Sequence, residues 1–231
     1  MSRIFITGDT HATNDWGKLN TSNFPEQKQL TKDDYVIICG DFGGVWGMDK
    51  TDKYIIKNYE DRKFTTLFVD GNHENHDGLD QYPVEEWNGG KIHRISDTVI
   101  HLMRGQVFEI GGKTFFTMGG AQSTDKMYRK EGISWWAREL PSDEEYAEAI
   151  SNLEKHDFKV EYIITHCAPE DYIYYADMGV DYARELNRLT AFLSGLLTEY
   201  KIGFDGWYFG HYHEDEDFEK FHCIYHRIVE I

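Results

Sequence analysis

Residues 4–11 read Ile4-Phe5-Ile6-Thr7-Gly8-Asp9-Thr10-His11. A short run of β-branched and aromatic residues ends in a glycine, an aspartate and a histidine. Such a run reads as a strand buried on both faces. A strand that stops at Asp and His hands those side chains to the rim of a sheet, where loops carry most sites. The same pattern recurs down the chain. Residues 35–39 stop at Gly40-Asp41-Phe42-Gly43-Gly44, and 67–69 lead through Asp70 into Gly71-Asn72-His73-Glu74. Residues 162–164 stop at Thr165-His166-Cys167-Ala168-Pro169, and 207–209 at Gly210-His211-Tyr212-His213. Strands that all end this way gather their polar side chains on one edge.

Helical stretches lie between these runs. One covers 49–63. A second starts at Ser142, where Glu145 completes a capping box, and extends to about 156. A third covers 181–200, with Ala183, Leu186, Leu189, Phe192, Leu193, Leu196 and Leu197 at helical spacing. In the middle, 91–95, 98–103, 106–110 and 113–118 read as short strands, with Gly111-Gly112 as a two-residue hairpin turn. Residues 218–231 also read as strands. No repeat or low-complexity linker interrupts the pattern. The expectation is therefore one domain over residues 1–231, an α/β chain with mixed sheets, carrying a long polar loop at about 119–140.

The chain has 231 residues, enough to bury a substantial core. Its net charge of −17 argues against coating long nucleic acids or anionic membranes, which need clustered Lys and Arg. Three widely spaced cysteines, Cys39, Cys167 and Cys223, without a C-x-x-C pair, argue against a disulfide framework and a thiolate zinc site. No run approaches the roughly 18 apolar residues of a membrane span, so a soluble, cytoplasmic protein is expected.

The clustered polar residues have metal-ligand chemistry. Asp9 and His11 are two apart, as are His211 and His213. In extended backbone, side chains at i and i+2 share a side, so each pair is expected to converge on one ion. Two carboxylates, an amide oxygen and four imidazoles without a thiolate suit Mn, Fe or Zn better than Ca. Seven ligands exceed what one catalytic ion with open positions takes. They suit two ions sharing a bridging carboxylate.

In order along the chain, the clusters GD-x-H, GD-x-x-G, GNH-[DE], a lone His and GH-x-H resemble the signature blocks of the calcineurin-like metallophosphoesterase superfamily. The resemblance spans Gly8 to His213. It implies a two-sheet β-sandwich flanked by helices, with a dinuclear site at its rim. It also implies that Asp9, His11 and His213 bind one ion, that Asn72, His166 and His211 bind the other, and that Asp41 bridges them. His73 becomes the non-ligand histidine that assists the leaving group. The implied chemistry is phosphoester hydrolysis, in which a hydroxide between the ions attacks phosphorus in line.

The departures from the family bear on substrate. Serine/threonine phosphatases of this superfamily carry GD-x-V-D-R-G and R-G-N-H-E, whereas this chain has Gly44, Val45 and Asp70 at the diagnostic positions. The two phosphate-clamping arginines and the aspartate partner of the histidine are thus missing from the blocks. A small nucleotide-like phosphomonoester or phosphodiester is favoured over a phosphoprotein. A protein phosphatase, a short-oligonucleotide nuclease and a non-catalytic interaction protein on the same fold stand as alternatives. Lys126, Arg129 and Lys130, in the 119–140 loop, offer replacement anion contacts. Trp135 and Trp136 either stack on a substrate ring or tuck into the body. His76, His93, His101, His156, His222 and His226 match no block and read as packing or surface residues. Residues 214–219, with five acids in six positions, read as a solvated hairpin edge.

Overall fold

The structure is a computed structural model and describes residues 2–175 and 185–231. Its strands are β1 (Ile4–Thr7), β2 (Tyr35–Ile38), β3 (Thr65–Phe68), β4 (Val84–Trp87), β5 (Gly90–Ser96), β6 (Val99–Leu102), β7 (Gln106–Ile110), β8 (Lys113–Met118), β9 (Tyr162–Thr165), β10 (Gly206–Phe209), β11 (Glu216–Phe218), β12 (Phe221–Cys223) and β13 (Val229–Glu230). Its helices are α1 (Lys50–Glu60), α2 (His76–Leu79), α3 (Asp143–Glu154), α4 (Glu170–Tyr175) and α5 (Arg188–Thr198).

The strands form two mixed sheets. One runs β13-β1-β2-β3-β6-β5-β4 and the other β11-β12-β10-β9-β8-β7. In each, four central strands are parallel: β1, β2, β3 and β6 in the first, β12, β10, β9 and β8 in the second. Antiparallel strands occupy the flanks.

Period-two alternation sorts the apolar residues into layers. From the first sheet, Ile4, Ile6, Ile37 and Leu67 face an inner core shared with Phe115, Ile164 and Tyr208 of the second. Phe5, Val36, Ile38 and Phe68 face outward beneath Ile55 and Tyr59 of α1. On the other side, Phe116, Ile163, Trp207 and Phe209 lie beneath Leu153 of α3 and Leu189, Leu193 and Leu196 of α5. Burial on both faces is why the strands read as unbroken apolar runs rather than alternating ones. The result is the expected two-sheet sandwich flanked by helices.

Parallel register places the motifs. Thr7 pairs with Ile38 and Ile38 with Phe68, so β1, β2 and β3 end level. Met118 pairs with Thr165, and Tyr208 with Ile164. All five polar clusters therefore leave the carboxyl ends of parallel strands, where sites in α/β sheets form.

Several boundaries differ from the sequence reading. Helix α1 begins one residue later than expected because Asp49 is its N-cap, accepting from the Thr51 N–H at 2.7 Å. Within the third expected helix, α5 begins at Arg188, because the Asn187 side chain accepts from the N–H groups of Leu189 and Thr190 and caps it there, while Glu185 ahead of the cap is also helical. Leu186 lies outside that helix and is exposed. Residues 181–184, including Ala183, lie outside the described residues. Strand β4 carried no sequence signal: it is an edge strand with Glu85 and Glu86 at its centre. The acidic stretch 214–219 is not merely solvated. Asp215 accepts from the N–H groups of Tyr225 and His226 at 2.8 and 3.1 Å, and Asp217 pairs with Arg227. Among the described residues, no helix is long and apolar enough to cross a membrane.

The Ser142 capping box forms as read: Ser142 Oγ accepts from Glu145 N–H at 3.2 Å, and Glu145 Oε2 accepts from Ser142 N–H at 2.7 Å. Ser142→Ala is expected to lower the unfolding free energy by about 1 kcal/mol in urea denaturation. An unchanged midpoint and slope would show that the cap carries no stability.

Candidate metal centre

Asp9 and Asp41 form the base of the site, each at most 1% exposed. Each follows a strand of the first sheet, β1 and β2 respectively. The Asp9 carboxylate accepts from the His211 N–H at 3.1 Å and lies 3.0 Å from His213 Nε2. The Asp41 carboxylate has His11 Nε2 at 3.2 Å on one oxygen and His166 Nε2 at 3.3 Å on the other. It thus stands between the two groups of donors. Its Oδ1 also accepts from the His73 N–H at 2.7 Å.

The imidazoles are held from behind. His166 is fully buried, and its Nδ1 donates to the Cys39 carbonyl at 2.7 Å, which presents Nε2 to the site. His11 Nδ1 lies 2.6 Å from Asp15 Oδ2. His211 Nε2 lies 3.2 Å from Glu185 Oε2. The His213 ring stacks on Tyr225 at 4.5 Å between centroids. Asn72 points Oδ1 toward His166 Nε2 at 3.2 Å, while its Nδ2 donates to Ser123 Oγ at 3.3 Å. That second bond orients the amide with its oxygen inward. A carbonyl or carboxylate on the far side of a ligand fixes which atom it offers a metal.

The local backbone is not extended, as the i, i+2 argument assumed. His11, Asp41, His211 and His213 all have positive φ, at 41°, 50°, 69° and 57°. The chain must turn back on itself directly after each strand, and the turns are tied to one another. The N–H groups of Thr10 and His11 both donate to the Asp41 carbonyl, at 3.0 and 2.8 Å. Gly40, at φ +88°, lies so close to His166 that a Cβ there would sit 2.1 Å from its Nδ1. Buried Glu74 accepts from Gly43 N–H at 2.6 Å and Gly71 N–H at 2.8 Å, which binds the Asp41 turn to the Asn72 turn. Burial and the Asp41 charge push its pKa up to about 8.

Electrostatics makes this a cation site. Burial alone would lower the histidine pKa values. The carboxylates outweigh it: Asp41, with Asp9 and Asp15, lifts His11 to about 9, and Asp41 with Asp9 lifts His166 to about 10. Burial would likewise raise Asp41, yet His166 and His11 hold it well below the usual carboxylate range. Buried negative charge here calls for cations, and metal ions compete with protons for the same nitrogens. The donors of Asp9, His11 and His213 lie within 4.8 Å of one another, as do those of His11, Asp41 and His73. The oxygen and imidazole set fits Mn, Fe or Zn.

Residues 2–215 match the family described as calcineurin-like phosphoesterase. The chain belongs to that family. No curated protein matches it. Members of this family are metal-dependent phosphoesterases, which accords with the donor clusters at the rim.

The insert of this phosphoesterase divides its expected substrate contacts. Arg129 reaches the site: its guanidinium donates to His73 Nε2 at 3.1 Å, and Asp125 holds its Nε at 2.7 Å. Lys126 is instead engaged by buried Glu139 at 2.5 Å and lies over the Trp135 ring at 5.0 Å. Trp136 is buried, donates from Nε1 to Asp77 at 3.0 Å, and meets Trp46 edge-on at 5.2 Å. Ion pairing thus engages Lys126, and packing and a hydrogen bond engage Trp136. Lys130 is exposed, and among the described residues no contact brings it to the donors. Burial, with Arg129 and the nearby histidines, lowers the His73 pKa against the pull of Asp41.

Asp15, Glu185, Ser123 and Glu139 were missed at the sequence level. Asp15 sits four residues from His11, a readable spacing, but Glu185 has no sequence signal at all. Glu185→Gln is expected to weaken manganese affinity about 10- to 100-fold in a competition titration. Unchanged affinity would remove Glu185 from the support of His211.

Proposed function

We propose that this phosphoesterase hydrolyses small phosphomonoesters or phosphodiesters, nucleotide-like ones included, with two Mn, Fe or Zn ions. Asp9, His11 and His213 would hold one ion and Asn72, His166 and His211 the other, with Asp41 shared. The observation that carries this reading is the Asp41 carboxylate, with one oxygen toward His11 and the other toward His166. When bound, such ions supply Lewis acidity and an activated water for attack on phosphorus.

The chain's own residues do the rest. His73 is held beside Asp41 by its own backbone N–H, and its ring meets the Arg129 guanidinium at 3.1 Å. In the neutral form favoured by burial it acts as a hydrogen-bond partner of the departing oxygen, and His73 is the residue we assign to the leaving group. Arg129 supplies the guanidinium that the family blocks lack here. A phosphoryl oxygen entering beside His73 takes over the Arg129 donors, whose planar fork matches it. Preorganised donors of this kind favour the charge that develops on phosphoryl oxygens. The acidic remainder of the chain favours a small substrate over a long nucleic acid. Three buried, unpaired cysteines support a reducing, cytoplasmic setting. The alternative of a non-catalytic fold is disfavoured because the sequence keeps all seven expected ligand residues.

Manganese-loaded protein is expected to cleave an aryl phosphomonoester or diester, with activity falling to background on chelation or with Asp41→Asn. No turnover with Mn, Fe or Zn would overturn the proposal. Arg129→Ala is expected to lower kcat/KM about 100-fold, with Arg129→Lys recovering part of it. A full rate in Arg129→Ala would leave the guanidinium without a role.

A further inference from the structure

A cleft of about 430 Å³ opens from His11 and His73 toward the start of α1. Its size falls within the range of small-molecule sites. Trp46 and Ile55 give it an apolar wall and floor, and Thr51 and Asp49 line its outer part. Among the described residues, no lysine or arginine lines it.

The tryptophan wall is fixed. The N–H groups of Trp46 and Met48 both donate to Asp52 Oδ2, at 2.7 and 2.8 Å. The Trp46 carbonyl accepts from Asn75 Nδ2 at 2.6 Å. Its ring is backed by Trp136, which Asp77 anchors. A rigid aromatic surface loses little freedom when a ring packs on it. Asp49 is exposed at the mouth, and its carboxylate repels a second anionic group.

We infer that this cleft selects the organic part of the substrate, and that it takes an uncharged aromatic ring, aryl or nucleobase, rather than a second phosphate or carboxylate. The inference rests on the phosphoesterase reading and adds to it the class of substrate. Trp46 is the specificity residue and Asp49 the excluding one.

Calorimetric binding to manganese-loaded protein tests this with non-hydrolysable probes: phenylphosphonate, methylphosphonate and phosphonoacetate. Phenylphosphonate is expected to bind at least tenfold tighter than methylphosphonate, and phosphonoacetate more weakly than either. Trp46→Ala is expected to close the phenyl-to-methyl gap, whereas Trp46→Phe keeps most of it. Asp49→Asn, which preserves the helix cap, is expected to tighten phosphonoacetate several-fold relative to methylphosphonate. Equal affinity for phenyl and methyl probes in the parent protein overturns the inference alone. So does an equal loss for both in Trp46→Ala. Failure of any phosphonate to bind, together with no turnover of any phosphoester, overturns the phosphoesterase reading as well.

Discussion

Two carboxylates almost wholly withdrawn from water, Asp9 and Asp41, are the constraint on which the rest of this protein depends. An unpaired buried carboxylate costs several kcal/mol, and here two stand at the ends of neighbouring strands. The fold answers with imidazoles and backbone N–H groups. Glu74 ties the turns together. Lys18 donates to the Asp9 carbonyl at 2.7 Å and holds the end of β1 to the C-terminal segment. The same carboxylate charges favour protons on His11 and His166, which is why their pKa values rise.

The sandwich is what makes that gathering possible. Parallel strands in level register deliver their ends to one edge, and two sheets packed face to face bring two such edges together. Asp9, Asp41 and Asn72 come from the first sheet, and His166, His211 and His213 from the second. The cost falls on the backbone. Four of the expected donors sit in the left-handed region that non-glycine residues avoid. Such conformations persist only where surrounding bonds over-determine them. The paired donations to the Asp41 carbonyl and the His211 N–H on Asp9 provide those bonds.

Much of this was legible because strand burial and strand-end chemistry are both local signals. The apolar runs are unbroken since both faces are covered, and Gly-Asp or Gly-His marks each turn. What could not be read was non-local. The extended-backbone premise failed, since His11, His211 and His213 have positive φ, although Asp9 and His11 still converge. Glu185 reaches His211 across the fold, without any spacing to betray it. Lys126 and Arg129 look alike in sequence, yet Glu139 takes the first and His73 meets the second. The cap at Asn187 starts a helix inside a stretch that leucine spacing alone reads as one continuous helix.

The same contrast bears on the missing arginine of the GNH-E block. Asp70 stands there instead, and it is buried rather than turned to the site. Its carboxylate accepts two bonds from Arg104, at 2.9 and 2.5 Å, and one from His101 at 3.2 Å. Arg104 in turn donates to the carbonyls of Arg138 and Glu139, at the end of the insert. The Asp70 carbonyl accepts from Gly120 N–H at its beginning. Asp70 therefore fastens both ends of the loop that carries Arg129. Breaking one partner of such a buried pair costs roughly 3–5 kcal/mol, so the loop is anchored firmly. Asp70 is thus the anchor for the segment that brings a guanidinium to His73.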